Sequence, residues 1–296
     1  MLSSALLILC LNIESLYGQG LKEYFRGGSL EAFGENEVMV FNDEFDGNSL
    51  DTSRWLTYFP YGPGGSDQCA FCRTHDTSMS AQVFLDKNLI VKDGYLTIRT
   101  LREQVDWMGK KADFSAGVIH SRQTFNDYYK YEIRCKIPEG KIFWPAFWMF
   151  GWSTELDVFE FMSPDTRYIY FNVHKWIDGK STNRPYRYKG KDFSKDFHIY
   201  AVAYEPYFVR FYIDGRMIHQ IPKFVKKNGR YSRKNSLKEG TYYLNPVFPN
   251  YGDHISIIAN NAVSRYRTAD PDLLKKTTLP ADMIIDYIRV YKNVEP

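Results

Sequence analysis

From about residue 38 to the C-terminus, Gly, Pro, Asn and Asp cut the sequence into short extended segments at near-regular spacing. They include "VMVFNDEF", "DGYLTIRT", "AGVIHSRQTF", "YKYEIRCKIP", "FWPAFWMFG", "ELDVFEFM", "YIYFNVHKW", "FHIYAVAYEP", "YFVRFYIDG" and "MIIDYIRVYK". Many alternate polar and apolar residues, the period of a strand with one face on a core. Short strands in this number, separated by turn residues, predict an all-β sandwich or barrel. Long helical periodicity is missing, and "DPDLLKKTTLP" holds one short helical turn at most. With no repeat and no linker, residues 38–296 read as a single domain, long enough for a substantial core.

The start of the chain is different. "LLILCLNI" followed by "SLYGQG" is too short to span a bilayer comfortably and reads as a secretion signal over residues 1–20, although it lacks an early Lys or Arg. Residues 21–37 form an N-terminal extension, and the protein is expected to be secreted, periplasmic or at the cell surface. No second apolar run is long enough for a membrane helix. The formal charge of +3 gives no reason to expect a nucleic-acid partner. Cys69 and Cys72 form a C-x-x-C with His75 nearby, but no fourth ligand completes a zinc site. A local disulfide or two free thiols remain as readings; Cys135 stands alone.

The chemistry concentrates in "STELDVFEFM", residues 153–162. Glu155, Asp157 and Glu160 lie among strand-forming apolar residues, where an unpaired buried carboxylate is costly. Alternation puts Glu155 and Asp157 on one face and Glu160 on the other. A β-bulge at Val158 or Phe159 would return Glu160 to the first face. Glu155 and Glu160 would then stand roughly 13 Å apart at Cα, at about 3.3 Å per residue. Their side chains could bring the carboxyl groups to roughly 5–6 Å, the spacing of a retaining glycosidase. One Glu would attack as the ionised nucleophile, the other would hold a proton for the leaving oxygen, and Asp157 would orient the nucleophile. Mutual repulsion of three acids favours keeping the proton donor loaded.

Aromatic residues make up 17% of the chain, a surplus that suits both β-sheets and stacking on sugar rings. Trp144, Trp148 and Phe150 share one face of the preceding segment, as stacking platforms if that face bears the acids and as core if it does not. His174 and Trp176 share a face of the following one. His174 is either a hydrogen-bond partner of a catalytic carboxylate or sugar, or a structural histidine. The run 223–238, "KFVKKNGRYSRKNSLK", has seven Lys or Arg and no acid. It reads as a solvated loop or as a basic rim for an anionic ligand.

Over roughly residues 38–293 the sequence resembles glycoside hydrolase family 16. The resemblance rests on "NDEFDGNSLDTSRW", "DGYLTIRT", "FSAGVIHSRQTF", "YEIRCKIPEGKIFWPAFWMFG", "ELDVFEF" and "IIDYIRVYK". The E-x-D-x-x-E motif is similar to that of the bulge-containing branch of laminarinases, agarases and carrageenases. The resemblance implies a β-jelly-roll sandwich of two curved antiparallel sheets with a concave substrate cleft. It implies Glu155 as nucleophile, Asp157 as its partner and Glu160 as acid/base, with Trp144, Trp148, His174 and Trp176 binding substrate. It also implies no cofactor for catalysis, but a structural calcium held by Glu44, the Gly94 carbonyl and Asp286.

The expected activity is that of a monomeric, retaining endo-hydrolase of a β-linked polysaccharide. "WPAFWMFG" favours a β-1,3-glucan, whereas "RPYRYKGK" at 184–191 and the run 223–238 suit a β-galactan carrying sulfate. A transglycosylase and a non-catalytic carbohydrate-binding protein are the alternatives; both glutamates are present, which counts against the second.

Overall fold

The computed structural model describes residues 37–75, 78–226 and 242–293. Residues 1–20, read as a signal, and almost all of the extension 21–37 lie outside the described residues, as does most of the basic run 223–238. No helix among the described residues is long and apolar enough to cross a membrane.

Two large sheets face each other, as the alternating segments require. The first runs, edge to edge, through Lys180–Asn183, Tyr168–Ile177, Thr154–Glu160, Phe143–Phe150, Ile255–Val263, Val118–Phe125 and Trp55–Leu56; Tyr186–Lys189 also pairs with Tyr168–Ile177. The second runs through Arg216–Pro222, Phe208–Ile213, His198–Tyr204, Lys130–Lys136, Ala281–Asn293, Tyr95–Trp107, Lys110–Ala116 and Gln82–Phe84. Glu37–Asp43 and Leu89–Lys92 join its middle strands. Neighbours pair antiparallel except Gln82–Phe84 with Lys110–Ala116. This is the expected jelly-roll sandwich. Two short helices, Arg265–Thr268 and Pro271–Lys275, follow the strand Ile255–Val263, capped by the side chains of Ser264 and Asp270. Only the second falls in the stretch where the sequence allowed a helical turn.

Between the sheets lies one continuous core, drawn from alternate residues of both: Leu96, Ile133, Tyr200 and Ile288 from the second, Phe147, Leu156, Phe159 and Phe171 from the first. Each such side chain contributes about 1.5–3 kcal/mol on burial. The first sheet's other face carries a smaller cluster of Phe59, Phe84, Val118, Trp148 and Ile258, with Trp144 and Phe150 packed against it. That second cluster floors a cleft.

The calcium set implied by the resemblance does not fit. Glu44 is gripped by Arg289 through two bonds of 2.8 Å each, and Asp286 is paired with Arg134. Gly94 sits in the tight turn between Leu89–Lys92 and Tyr95–Trp107 at φ 78°. Calcium needs carboxylate oxygens free to gather round it. Here each carboxylate is already neutralised by its own guanidinium.

Candidate active site

The acid strand, Thr154–Glu160, lies between the tryptophan strand Phe143–Phe150 and the histidine strand Tyr168–Ile177. Its turn into the sheet is fixed by close packing. A Cβ on Gly151 would stand 2.6 Å from the His254 carbonyl oxygen, so no other residue fits there without a shift. Ser153 is tied to Asp253 and Asn250 by bonds of 2.8–3.1 Å.

The bulge is where the parity argument put it. Glu155, Leu156 and Asp157 pair in order with Phe150, Met149 and Trp148, but Phe159, not Val158, pairs with Phe147. Toward the histidine strand, Asp157 pairs with Asn172 and Glu160 with Tyr170, again with one residue in excess. Val158 and Phe159, consecutive in sequence, both enter the core. Glu160 thereby rejoins the face of Glu155 and Asp157. Deleting Val158 is expected to leave Glu160 on the cleft face, because E-x-D-x-E needs no bulge to keep its acids in phase. Losing the valine costs about 2 kcal/mol of burial, and kcat should fall by no more than about 10²-fold from misplacement. A deletion variant that folds, by circular dichroism, but is as inactive as Glu160→Gln would show that the bulge does more than set phase.

The three acids sit in different surroundings. Glu155 accepts a hydrogen bond from the Trp176 indole at 2.7 Å. Burial raises its pKa, opposed by the charge of His174 and by hydrogen bonds from Trp176 and Asp157. Asp157 is 2% exposed, and burial, then the Glu155 charge and the hydrogen bond to Glu155, hold its pKa well above the carboxylate range. Asp157 therefore carries the proton of this pair and donates it to Glu155, which stays ionised. Glu160 accepts from the Trp144 indole at 3.0 Å. Burial is the main cause that pushes its pKa well up, aided by the neighbouring acid pair and opposed by the Trp144 bond. The arrangement thus separates an ionised carboxylate from a protonated one on a single face.

His174 lies 3.2 Å from Asp157 through Nε2 and bonds Ser181 through Nδ1 at 2.7 Å. Its ring lies parallel to that of Trp176, 12° between planes and 6.0 Å between centroids. Glu155, Asp157 and His174 are the one group of metal-ligand type and spacing among the described residues. Their contacts to Trp176, Asn172 and Ser181 hold them as a hydrogen-bonded unit.

All four expected substrate residues lie on the acid face, but not on equal terms. Trp144, His174 and Trp176 are half-buried and reach the acids directly. Trp148 is only 7% exposed, bonds Asn260 at 2.9 Å, and is covered by Phe59 and His75 at ring distances of 6.2 and 5.7 Å. It braces the cleft wall rather than offering an open platform.

That wall is the segment 57–75, whose Cys69, Cys72 and His75 were singled out in the sequence but not placed beside the acids. Tyr61 stacks on Phe59 at 5.5 Å and stays half-exposed, and desolvation with the charge of Glu155 pushes its phenol up to about 12. Cys69 and Cys72 are disulfide-bonded, which selects the first of the two readings left open. Arg73 pins the loop to Asp67 and Asp86 at 2.9 and 2.7 Å. Asn172 was also missed: it bonds His174 at 2.6 Å and pairs with Asp157. Its signal was the even spacing of Asn172, His174 and Trp176 in "FNVHKW". His120, on the cleft floor, is pushed down to about 4 by burial and is neutral at physiological pH.

A family model of the glycosyl hydrolases family 16 matches residues 77–239, more than half of the 296 residues. The chain belongs to this family. Its chemistry is O-glycosyl hydrolysis, with no catalytic cofactor. The chain is 26% identical over 276 residues to glucan endo-1,3-beta-glucosidase A1 of Niallia circulans, a match covering 86% of this chain and 38% of that protein. It is 24% identical to a beta-glucanase of Rhodothermus marinus, covering 87% and 86%. The catalytic domain of an endo-1,3-beta-glucanase (laminarinase) from Thermotoga petrophila superposes with a TM-score of 0.67 at 28% identity, covering 88% of this chain and 100% of the other. As a family 16 member, the chain carries its acids on the strand that the bulge reshapes.

Proposed function

We propose that this family 16 protein cuts internal linkages of a β-1,3-glucan-type polysaccharide with retention of configuration. The observation that carries the reading is the bulged acid strand, which sets an ionised Glu155 and a protonated Glu160 on one face of the cleft. In the first step Glu160 gives its proton to the glycosidic oxygen as Glu155 attacks the anomeric carbon, so the leaving chain departs as an alcohol. The sugar is then held as an ester on Glu155. In the second step the Glu160 carboxylate takes a proton from water, whose oxygen displaces Glu155 and regenerates both groups. Trp176 and the protonated Asp157 steady the Glu155 charge before attack and again when water releases it. Asn172 and Ser181 hold the His174 ring against Asp157.

The relatives named for 1,3-glucan and laminarin support the glucan assignment. A compartment outside the cytoplasm is part of the same reading, supported by the Cys69–Cys72 disulfide and the signal-like start. The test is product analysis on laminarin, mixed-linkage glucan and agarose, with the first-formed anomer followed by NMR. Laminarin should yield a ladder of oligosaccharides whose new reducing ends are β. Products of the α configuration, or monosaccharide alone from the first minutes, would overturn retention or endo-action. Lengthened products on adding acceptor oligosaccharide would mark a transglycosylase instead.

A further inference from the structure

We infer that the cleft carries an anion-binding subsite beyond Glu160, built from Arg267, Arg187 and Lys189 around Tyr168 and Tyr170, which takes a sulfate ester or carboxylate borne by the polysaccharide. The inference rests on the glycan-cleaving reading above and narrows its substrate class.

Three arginines are buried among the described residues: Arg73, Arg210 and Arg267, at 6%, 9% and 8% exposure. Arg73 pairs with Asp67 and Asp86, and Arg210 with Glu205 at 2.7 Å. Among the described residues Arg267 has no carboxylate partner, and its buried Nη1 has no hydrogen-bond partner. Burial pushes its pKa down to about 10, which still leaves it cationic at neutral pH. An unpaired buried charge costs several kcal/mol, and the chain offsets that cost at its two other buried arginines. At Arg267 the missing partner is an anion brought from outside.

Its surroundings locate the site. Arg267 stands in the short helix after Ile255–Val263, the strand whose Ala262 pairs with Trp144, the donor to Glu160. It lies within electrostatic reach of Tyr170. Tyr170 pairs with Glu160 on one side and with Arg187 on the other, so all three project from the acid face. Tyr168 pairs with Lys189, two residues along the same face. Arg187 and Lys189 are exposed, whereas the alternating Tyr186 and Tyr188 pack against the core. Both cations lean on the Tyr168 ring, at 5.1 and 5.4 Å, and neither has a carboxylate partner among the described residues. Phenol rings give a sugar an apolar face to rest on, and guanidinium forks match the oxygens of sulfate or carboxylate. A neutral glucan would leave all three cations unanswered.

The test is affinity electrophoresis of the full chain carrying Glu155→Gln, which binds without cutting, in gels cast with laminarin, laminarin sulfate or carboxymethyl-curdlan, a carboxylate-bearing β-1,3-glucan. Retardation by an anionic polymer should exceed that by laminarin by about tenfold in Kd, which is ~1.4 kcal/mol. Arg267→Met should remove most of that gap. Arg187→Ala, at an exposed position where folding is not at stake, should reduce it. Preference for one anionic polymer over the other identifies sulfate or carboxylate as the group bound. Equal retardation by all three polymers, or a preference untouched in both variants, overturns the subsite. Failure of the wild-type chain to cut any polysaccharide would overturn the proposed activity while leaving this comparison readable.

Discussion

Glu155→Gln is expected to lower kcat on laminarin by about 10⁴-fold or more, a loss of ~5.5 kcal/mol of transition-state stabilisation. The amide has the same shape and can still accept the Trp176 bond that Glu155 takes at 2.7 Å. The fold and the melting temperature should therefore hold. What disappears is the nucleophile, and with it the glycosyl ester through which the reaction passes. The neutral amide also removes a charge that raises the pKa of Asp157, so the proton shared by that pair is redistributed. A loss of charge stabilisation alone would not be repaired by an outside nucleophile, and this separates the two roles. Glu155→Ala opens space on the same face, and azide should restore turnover of an activated aryl glycoside with an α-glycosyl azide as product. Substantial laminarin hydrolysis by Glu155→Gln would remove Glu155 from the nucleophile's place.

Much of this site was legible because strand geometry turns sequence parity into direction. Three acids out of phase within six residues called for one extra residue, and Val158 and Phe159 both turning to the core is the same fact seen from the other face. Trp144 and Trp176 were legible for a related reason, since they lie on the two strands flanking the acids. Contacts made across the fold were not. The cover on Trp148 comes from Phe59 and His75, more than seventy residues away, and alternation within a strand says nothing about which loop folds over it. Glu44 and Asp286 fail for the same reason. Their type suits calcium, but only the sheet register brings Arg289 and Arg134 alongside. Arg267 gave no sequence signal at all, because its oddity is the absence of a partner that other buried arginines have.

The second large effect concerns Glu160 and is read through pH. Its carboxyl is raised well above the ordinary range by burial and by the neighbouring acids, so near neutrality it holds the proton that the leaving oxygen needs. Activity is lost as pH rises through that pKa, because the donor empties. It is lost at the other end as pH falls through the pKa of the Glu155–Asp157 pair, because the nucleophile fills. Burial raises the Glu155 pKa as well, so the acidic limb should lie above the 4.5 of an ordinary glutamate. Glu160→Gln should abolish the basic limb attributed to this group and lower kcat on laminarin by about 10³-fold, within the usual contribution of general acid catalysis. An aryl glycoside with a good leaving group needs little proton assistance to depart, so its first step should be largely spared. The glycosyl ester on Glu155 should then accumulate, visible as a burst of released phenol followed by slow turnover. Trp144→Phe probes the same group more gently. The indole bond stabilises the ionised form of Glu160, so its removal should move the basic limb to higher pH without removing it. A basic limb unchanged in Glu160→Gln would assign the donor's proton to another group.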